Sequence, residues 1–348
     1  MITDDTLREG MQAPGMSFSI EEKKQLSRKI ADCGIERILL SYPPAHKSEW
    51  EIAKYVSSEN IFKRVYGLGR AIRKDIDNIY STGCHISLHF PFVYDNLEDV
   101  FEAIKYAVSI DPYTEVSVVD ITQYKLNDLV KIIMRLSDIG VETIQLPDTM
   151  GKSRPRSIGE IVREAKKTSD SKIEVHCHND QGFSLANAIA GIESGADFVD
   201  TTFLGIGERN GITDAFSMAQ YLMDNGFMDK TSLERMRKLS EEIRDIVVKK
   251  AGISFFMNNI PNIGNNIITH TAGTHAAFSG VFGGENFSVN AYTGRSMIKR
   301  ILASYKLDLG EEKLSRLMDT LKTRSSDEGR VIPTDEIIEE ARKYVQSN

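Results

Sequence analysis

Lys172-Ile173-Glu174-Val175-His176-Cys177-His178-Asn179-Asp180 is the stretch from which the fold of this chain unfolds. Its first four residues predict a short buried strand, and the polar residues after them a turn at the strand's C-terminal end. Side chains two apart in a strand share a face, so His176 and His178 are expected side by side. Neutral imidazole is the commonest side-chain ligand of zinc-like cations, and two at one strand end supply half a coordination shell. Cys177, between them, faces the other way and is not a ligand on this reasoning.

A third ligand comes from the start of the chain. Asp4-Asp5-Thr6-Leu7-Arg8-Glu9-Gly10-Met11-Gln12 follows a very short strand, Met1 to Thr3, and sets the carboxylate of Glu9 beside Arg8. Two histidines and one hard oxygen leave coordination positions open for water and substrate. Gly205-Ile206-Gly207-Glu208-Arg209-Asn210-Gly211 follows a later strand. Polar motifs at several strand C-terminal ends converge on one mouth if the strands are parallel and closed.

The rest of the chain supplies such strands. β-Branched apolar runs recur at Met1 to Thr3, Ile35 to Ser41, Val65 to Leu68, His85 to Phe90, Glu115 to Val119, Thr143 to Leu146, Ile173 to His176 and Phe198 to Phe203. Helical periodicity lies between them, beginning with Ile20 to Asp32 behind Ser19-Ile20-Glu21-Glu22, a capping-box spacing. Further helices centre on Glu49 to Ser57, Asp75 to Thr82, Leu97 to Ile110, Leu126 to Ile139, Ile158 to Thr168, Leu185 to Ser194 and Thr213 to Asn225. This alternation predicts an α/β chain built as a closed (β/α)₈ TIM barrel. An open doubly wound sheet would need a Gly-rich phosphate turn after an early strand, which Gly10 and Gly15 do not supply.

The pattern changes after Asn225. Leu233 to Ala251 predicts one long amphipathic helix ended by Gly252, and Gly252 to Asn266 an irregular linker crossing a surface. Three helices follow, near Arg295 to Tyr305, Glu311 to Thr323 and Thr334 to Val345. The expected organisation is a barrel over 1–228, a helix and linker over 229–268, and a small helical C-terminal subdomain over 269–348 with no regulatory domain.

Composition narrows the function class. The formal net charge of −7 and the lack of a basic run argue against nucleic acid as a partner. No apolar stretch reaches the roughly 20 residues of a membrane span. The N-terminus has neither the basic flank nor the apolar core of a signal peptide. Cys33, Cys84 and Cys177 lack CxxC spacing and are expected as reduced core thiols in a cytoplasmic protein.

Taken together, Asp5-Thr6-Leu7-Arg8-Glu9-Gly10, His176-Cys177-His178-Asn179-Asp180 and the Gly205–Gly211 segment resemble the 2-isopropylmalate synthase and homocitrate synthase family of metal-dependent Claisen-condensing enzymes. The similarity continues through Thr269-His270-Thr271-Ala272-Gly273-Thr274-His275 and Thr293-Gly294-Arg295-Ser296, so it spans nearly the whole chain. The resemblance implies an acyltransferase of amino-acid biosynthesis that condenses acetyl-CoA with a small 2-oxo acid. It implies a divalent cation (Zn, Mn, Mg or Co) on Glu9, His176 and His178. It also implies a homodimer in which His275 reaches over the partner's barrel to assist proton removal. Arg8 would aim a fixed positive charge at the developing alkoxide. Thr149, in Pro147-Asp148-Thr149-Met150-Gly151, matches the family threonine that binds the substrate carboxylate. Gln12, Arg70 and His89 are further substrate-binding candidates, the last two from strand ends. Asn179 and Asp180 are expected behind the histidines, orienting them.

Two departures bear on the substrate. The position near the end of strand five where family members carry a catalytic glutamate is Val119, with Asp120 or Thr122 as candidate replacements. Ile72 stands where homocitrate synthases tend to place a histidine for a second substrate carboxylate, which favours a smaller or less charged 2-oxo acid. Glu9 in place of Asp, and the wording Glu208-Arg209-Asn210-Gly211-Ile212-Thr213, lean the other way. The competing activities are carbon–carbon cleavage, as in 3-hydroxy-3-methylglutaryl-CoA lyases and 4-hydroxy-2-oxoacid aldolases, or a barrel that keeps its metal but has lost its chemistry. The long tail from Gly226 to Asn348 favours the synthase over a lyase, which needs no such lid.

Overall fold

Short strands with both faces buried can satisfy every backbone group without an exposed edge by closing into a barrel. That is the architecture in the structure, a computed structural model that describes residues 1–92, 96–259, 269–271, 286–287 and 289–346. Eight parallel strands follow in sequence order: β1 (Ile2–Asp4), β2 (Arg37–Ser41), β3 (Arg64–Arg70), β4 (His85–Phe90), β5 (Glu115–Val118), β6 (Thr143–Asp148), β7 (Lys172–Cys177) and β8 (Phe198–Thr201). The ring closes where Ile2 registers with Val199 and Asp4 with Thr201.

Helices α1 (Ile20–Asp32), α2 (Lys47–Glu59), α3 (Arg73–Tyr80), α4 (Leu97–Ile110), α5 (Leu126–Ile139), α6 (Pro155–Thr168), α7 (Ser184–Glu193) and α8 (Ala215–Asp224) connect the strands. The capping box foreseen at Ser19 forms in both directions: Glu22 N–H donates to Ser19 Oγ at 3.3 Å, and Ser19 N–H to Glu22 Oε2 at 2.7 Å. Such a cap contributes about 0.5–2 kcal/mol.

The barrel interior is not wholly apolar. Buried Arg37 on β2 donates to Glu174 Oε2 at 3.2 Å and to the Tyr66 hydroxyl at 2.6 Å, and also pairs with Glu115. Gln145 then links Glu174 Oε1 (3.1 Å) to Asp200 Oδ2 (3.2 Å). A polar column therefore climbs the barrel from Arg37 to the strand C-terminal ends.

Beyond the barrel come α9 (Lys230–Ala251), ended by Gly252 at φ +78°, and α10 (Ser254–Asn258). The expected irregular linker is thus helical at its start, because Phe255 finds the barrel's apolar core and is buried there. Its remainder, 260–266, lies outside the described residues. Helices α11 (Arg295–Ser304), α12 (Glu311–Glu328) and α13 (Thr334–Gln346) share a separate core around Ile301, Leu317 and Ile337.

These helices were expected to need a surface on which to dock, the partner barrel being one candidate. They dock on their own barrel. Asn290 Nδ2 donates to Met16 O at 3.2 Å, Tyr292 OH to Glu49 Oε2 at 2.7 Å, and Lys322 Nζ to Ala45 O at 3.0 Å. Among the described residues no helix is long and apolar enough to cross a membrane.

Candidate active site

The C-terminal ends of the strands surround a small cavity open at the barrel mouth. Arg8, Glu9, Gln12, His89, Thr149, His176 and His178 all line it, together with Ser117, Val119, Gln145 and Pro147. Residues scattered from position 8 to 178 in sequence thus meet at one barrel mouth, the usual seat of barrel chemistry.

The two histidines leave β7 as the strand pattern requires, with their Nε2 atoms 3.2 Å apart. Two metal–nitrogen bonds of about 2.1 Å span that separation comfortably. His176 Nδ1 lies 2.7 Å from Asp200 Oδ2, so a carboxylate acceptor holds the proton on Nδ1 and turns the Nε2 lone pair to the cavity. Burial pushes His176 down to about 4 and His89 down to about 3. Both rings are therefore neutral near pH 7, the form that binds metal. Cys177 is buried off the cavity, as the alternation predicts.

Glu9 opens a short 3₁₀ turn, Glu9–Gln12, separated from β1 by Asp5 to Arg8. Its Oε1 accepts the Glu208 N–H at 2.8 Å and its Oε2 accepts Arg8 Nη1 at 2.6 Å. Gly207 makes this possible, because a Cβ there would stand 2.9 Å from Glu9 Oε1. Gly211, at φ +74°, lets the same loop fold on itself. The guanidinium of Arg8 is a bridge, donating from Nε to Asp5 Oδ1 at 3.0 Å while Nη2 also pairs with Asp5.

The tightest group of three ligand-type side chains among the described residues is Asp5, His176 and Asp200, within 4.8 Å of one another. It differs from the expected trio. Asp5 and Asp200 do not line the cavity, and their partners are Arg8 and the Nδ1 side of His176. Burial raises both carboxyls well above their ordinary value, with Arg8 opposing the rise in each. They form the layer beneath the site. The Nε2 pair lines the cavity, and so does Glu9, whose two oxygens are engaged by Glu208 N–H and Arg8.

Thr149 Oγ1 accepts the Asp120 N–H at 2.9 Å, which leaves its own proton free for a ligand. Gln12 Oε1 is buried without a hydrogen-bond partner.

Three expectations need correction. Arg70 does not join the site, because Asp75 holds its guanidinium through Nε (2.8 Å) and Nη2 (3.0 Å) on the exposed rim. Asp180 does not orient the histidines. It takes Arg209 Nε and Nη2 at 2.8 and 2.7 Å, while Asn179 Oδ1 accepts from Ser184. Asp120 stands at φ +48°, its carboxylate accepting from Thr122 Oγ1 (2.7 Å) and Gln123 Nε2 (2.9 Å), so Val119 rather than Asp120 lines the cavity. His275 lies outside the described residues. Sequence reasoning missed Asp200, Asp5 and Gln145. Their signal was a polar residue inside an otherwise apolar strand or directly after one.

A closed parallel barrel with a histidine pair and a carboxylate at its C-terminal mouth defines the general class. The family model described as HMGL-like matches residues 1–243, and the chain belongs to that family of enzymes. It is similar to the homocitrate synthase of Pyrococcus horikoshii, at 28% identity over 99% of both chains. It also resembles a probable 2-isopropylmalate synthase of Methanopyrus kandleri, at 27% identity over 92% of this chain and 69% of that one. The homocitrate synthase AksA of Methanocaldococcus jannaschii matches at 30% identity over 79% of this chain and 70% of that protein. In fold it resembles a Bacillus subtilis HMG-CoA lyase, with TM-score 0.63 and 15% identity over 71% of this chain and 93% of that one.

Proposed function

We propose that this chain is an acyltransferase that condenses acetyl-CoA with a 2-oxo acid at one divalent ion held by Glu9, His176 and His178, releasing CoA. The observation that carries the proposal is the 3.2 Å Nε2 pair inside a cavity also lined by Glu9, Arg8 and Thr149. Bound there, the ion would serve as a Lewis acid toward the 2-oxo acid. Arg8, clamped by Asp5 and Glu9, presents fixed positive charge to the carbonyl oxygen that becomes an alkoxide. Thr149 keeps a proton to donate to the substrate carboxylate. Removal of a methyl proton from acetyl-CoA falls to His275 by family resemblance. The new carbon–carbon bond leaves a thioester, which water cleaves to free CoA.

A synthase is preferred to a lyase because the similarity to the Pyrococcus homocitrate synthase runs through 99% of this chain, whereas the lyase fold accounts for 71%. A thiol-release assay of metal-loaded enzyme with acetyl-CoA and a panel of 2-oxo acids tests this. Cleavage of 3-hydroxy-3-methylglutaryl-CoA without any condensation would replace it with the lyase. His178→Ala should lose stoichiometric metal along with activity, and full metal content in that variant would remove His178 from the ligand set.

A cytoplasmic homodimer is the proposed assembly. Thr271 N–H donates to Glu208 Oε1 at 3.1 Å in its own chain, four residues before His275. Mixed and refolded His275→Ala and His178→Ala subunits should regain activity if His275 serves the partner. No recovery in a verified mixed dimer would assign His275 to its own barrel.

A further inference from the structure

We infer that the acceptor is a monocarboxylic 2-oxo acid with a short uncharged side chain, and that Val119 and Pro147 form the wall that selects it. This rests on the proposed condensation and narrows its substrate class.

The first argument is an inventory of positive charge. Among the described residues Arg8 is the one lysine or arginine on the cavity wall, and its fork is already occupied by Asp5 and Glu9. The neighbouring arginines are committed elsewhere, Arg70 to Asp75 and Arg209 to Asp180. The segments outside the description, 93–95, 260–268, 272–285, 288 and 347–348, contain no lysine or arginine at all. One substrate carboxylate can use Thr149 and the metal position. A second would find no further lysine or arginine of this chain to meet it and would lie near Glu9, and an uncompensated buried charge is strongly disfavoured.

The second argument is the shape of the far wall. The left-handed turn at Asp120 swings its carboxylate onto Thr122 and Gln123 and leaves Val119 lining the cavity. Pro147 on β6 adds a second apolar surface with no N–H to offer. A short alkyl group suits these two surfaces, whereas a carboxylate would lose its hydration against them.

The experiment compares pyruvate, 2-oxobutyrate and 2-oxoisovalerate with oxaloacetate and 2-oxoglutarate on the metal-loaded protein. CoA release gives kcat/KM, and calorimetric binding without acetyl-CoA gives a readout independent of turnover. The expected result is a preference of about a hundredfold or more for a monocarboxylate in both. Val119→Lys should narrow that gap at least tenfold by supplying the missing cation. A dicarboxylate within tenfold of the best monocarboxylate overturns the inference while the condensation stands. If no acid yields CoA, the condensation fails and calorimetry decides alone: tighter monocarboxylate binding supports the selective wall, and equal, dicarboxylate-favouring or undetectable binding overturns it.

Discussion

The Nδ1 of His176 and the Oδ2 of Asp200 lie 2.7 Å apart, and this contact decides which nitrogen of the ring faces the cavity. Asp200 also accepts from Gln145 at 3.2 Å, so the ring is tied through Glu174 to Arg37 at the other end of the barrel. The orientation of a proposed metal ligand is thus built into the barrel core. Asp200→Asn keeps the shape but offers an amide where Nδ1–H needs a carboxylate. Metal affinity should fall by about 10–100-fold, the usual cost of losing a group that orients a ligand. Metal titration against a competing chelator reads this, and unchanged affinity would show that the contact only packs the core.

Arg8→Lys should retain the fold and the metal but lower turnover by about 10²–10³, as for loss of one oxyanion donor. Lysine keeps the charge and loses the planar fork that engages Asp5 and Glu9 together. Circular dichroism, metal content and kcat measured on one preparation separate the effects. Near-normal kcat would make Arg8 a structural clamp.

Much of this arrangement was legible because the signals were local. His-x-His at a strand end, the Ser19 capping box and the alternation of strands with helices each depend on neighbours a few positions apart. Helices α1, α4 and α5 run over the very residues the periodicity marks. The positioning groups were harder. Asp200 meets His176 across 24 positions, and Asp180, adjacent to the motif, was claimed instead by Arg209 from the β8 loop. Arg70 failed for a similar reason, since its partner Asp75 outcompetes the cavity. Local pattern identifies which residues stand at the mouth, but tertiary competition for charge decides where each one points.

Glu49 joins the barrel to the C-terminal helices. Lys23 Nζ donates to its two oxygens at 2.6 and 2.8 Å, and Tyr292 OH donates to Oε2 at 2.7 Å, all of them buried. Glu49→Gln would leave the Lys23 ammonium without its counter-charge, a loss of about 3–5 kcal/mol. Burial already lowers the pKa of Lys23. A base with a lowered folded pKa binds fewer protons folded than unfolded, so stability rises with pH up to the unfolded value of about 10.4. Without Glu49 that lowering deepens, and the deficit should shrink as pH is raised from 7 to about 10. Urea unfolding at several pH values measures this, and a deficit that grows with pH would contradict the burial of Lys23.

Asp120 directly follows Val119, and the sequence offered it as a candidate catalytic carboxylate. Its oxygens accept from Thr122 and Gln123, and it does not line the cavity. A general base must come within hydrogen-bond reach of the proton it takes, and removing one costs about 10²–10⁴ in rate. Asp120→Asn keeps an oxygen to accept the Thr122 hydroxyl and leaves the backbone N–H that holds Thr149 in place. Turnover should therefore stay within about threefold of the parent, far short of the loss that follows removal of a base. The pH profile of kcat should be unchanged as well. A loss of a hundredfold or more, with the acidic limb of that profile abolished, would make Asp120 the base and require its turn to open during the reaction.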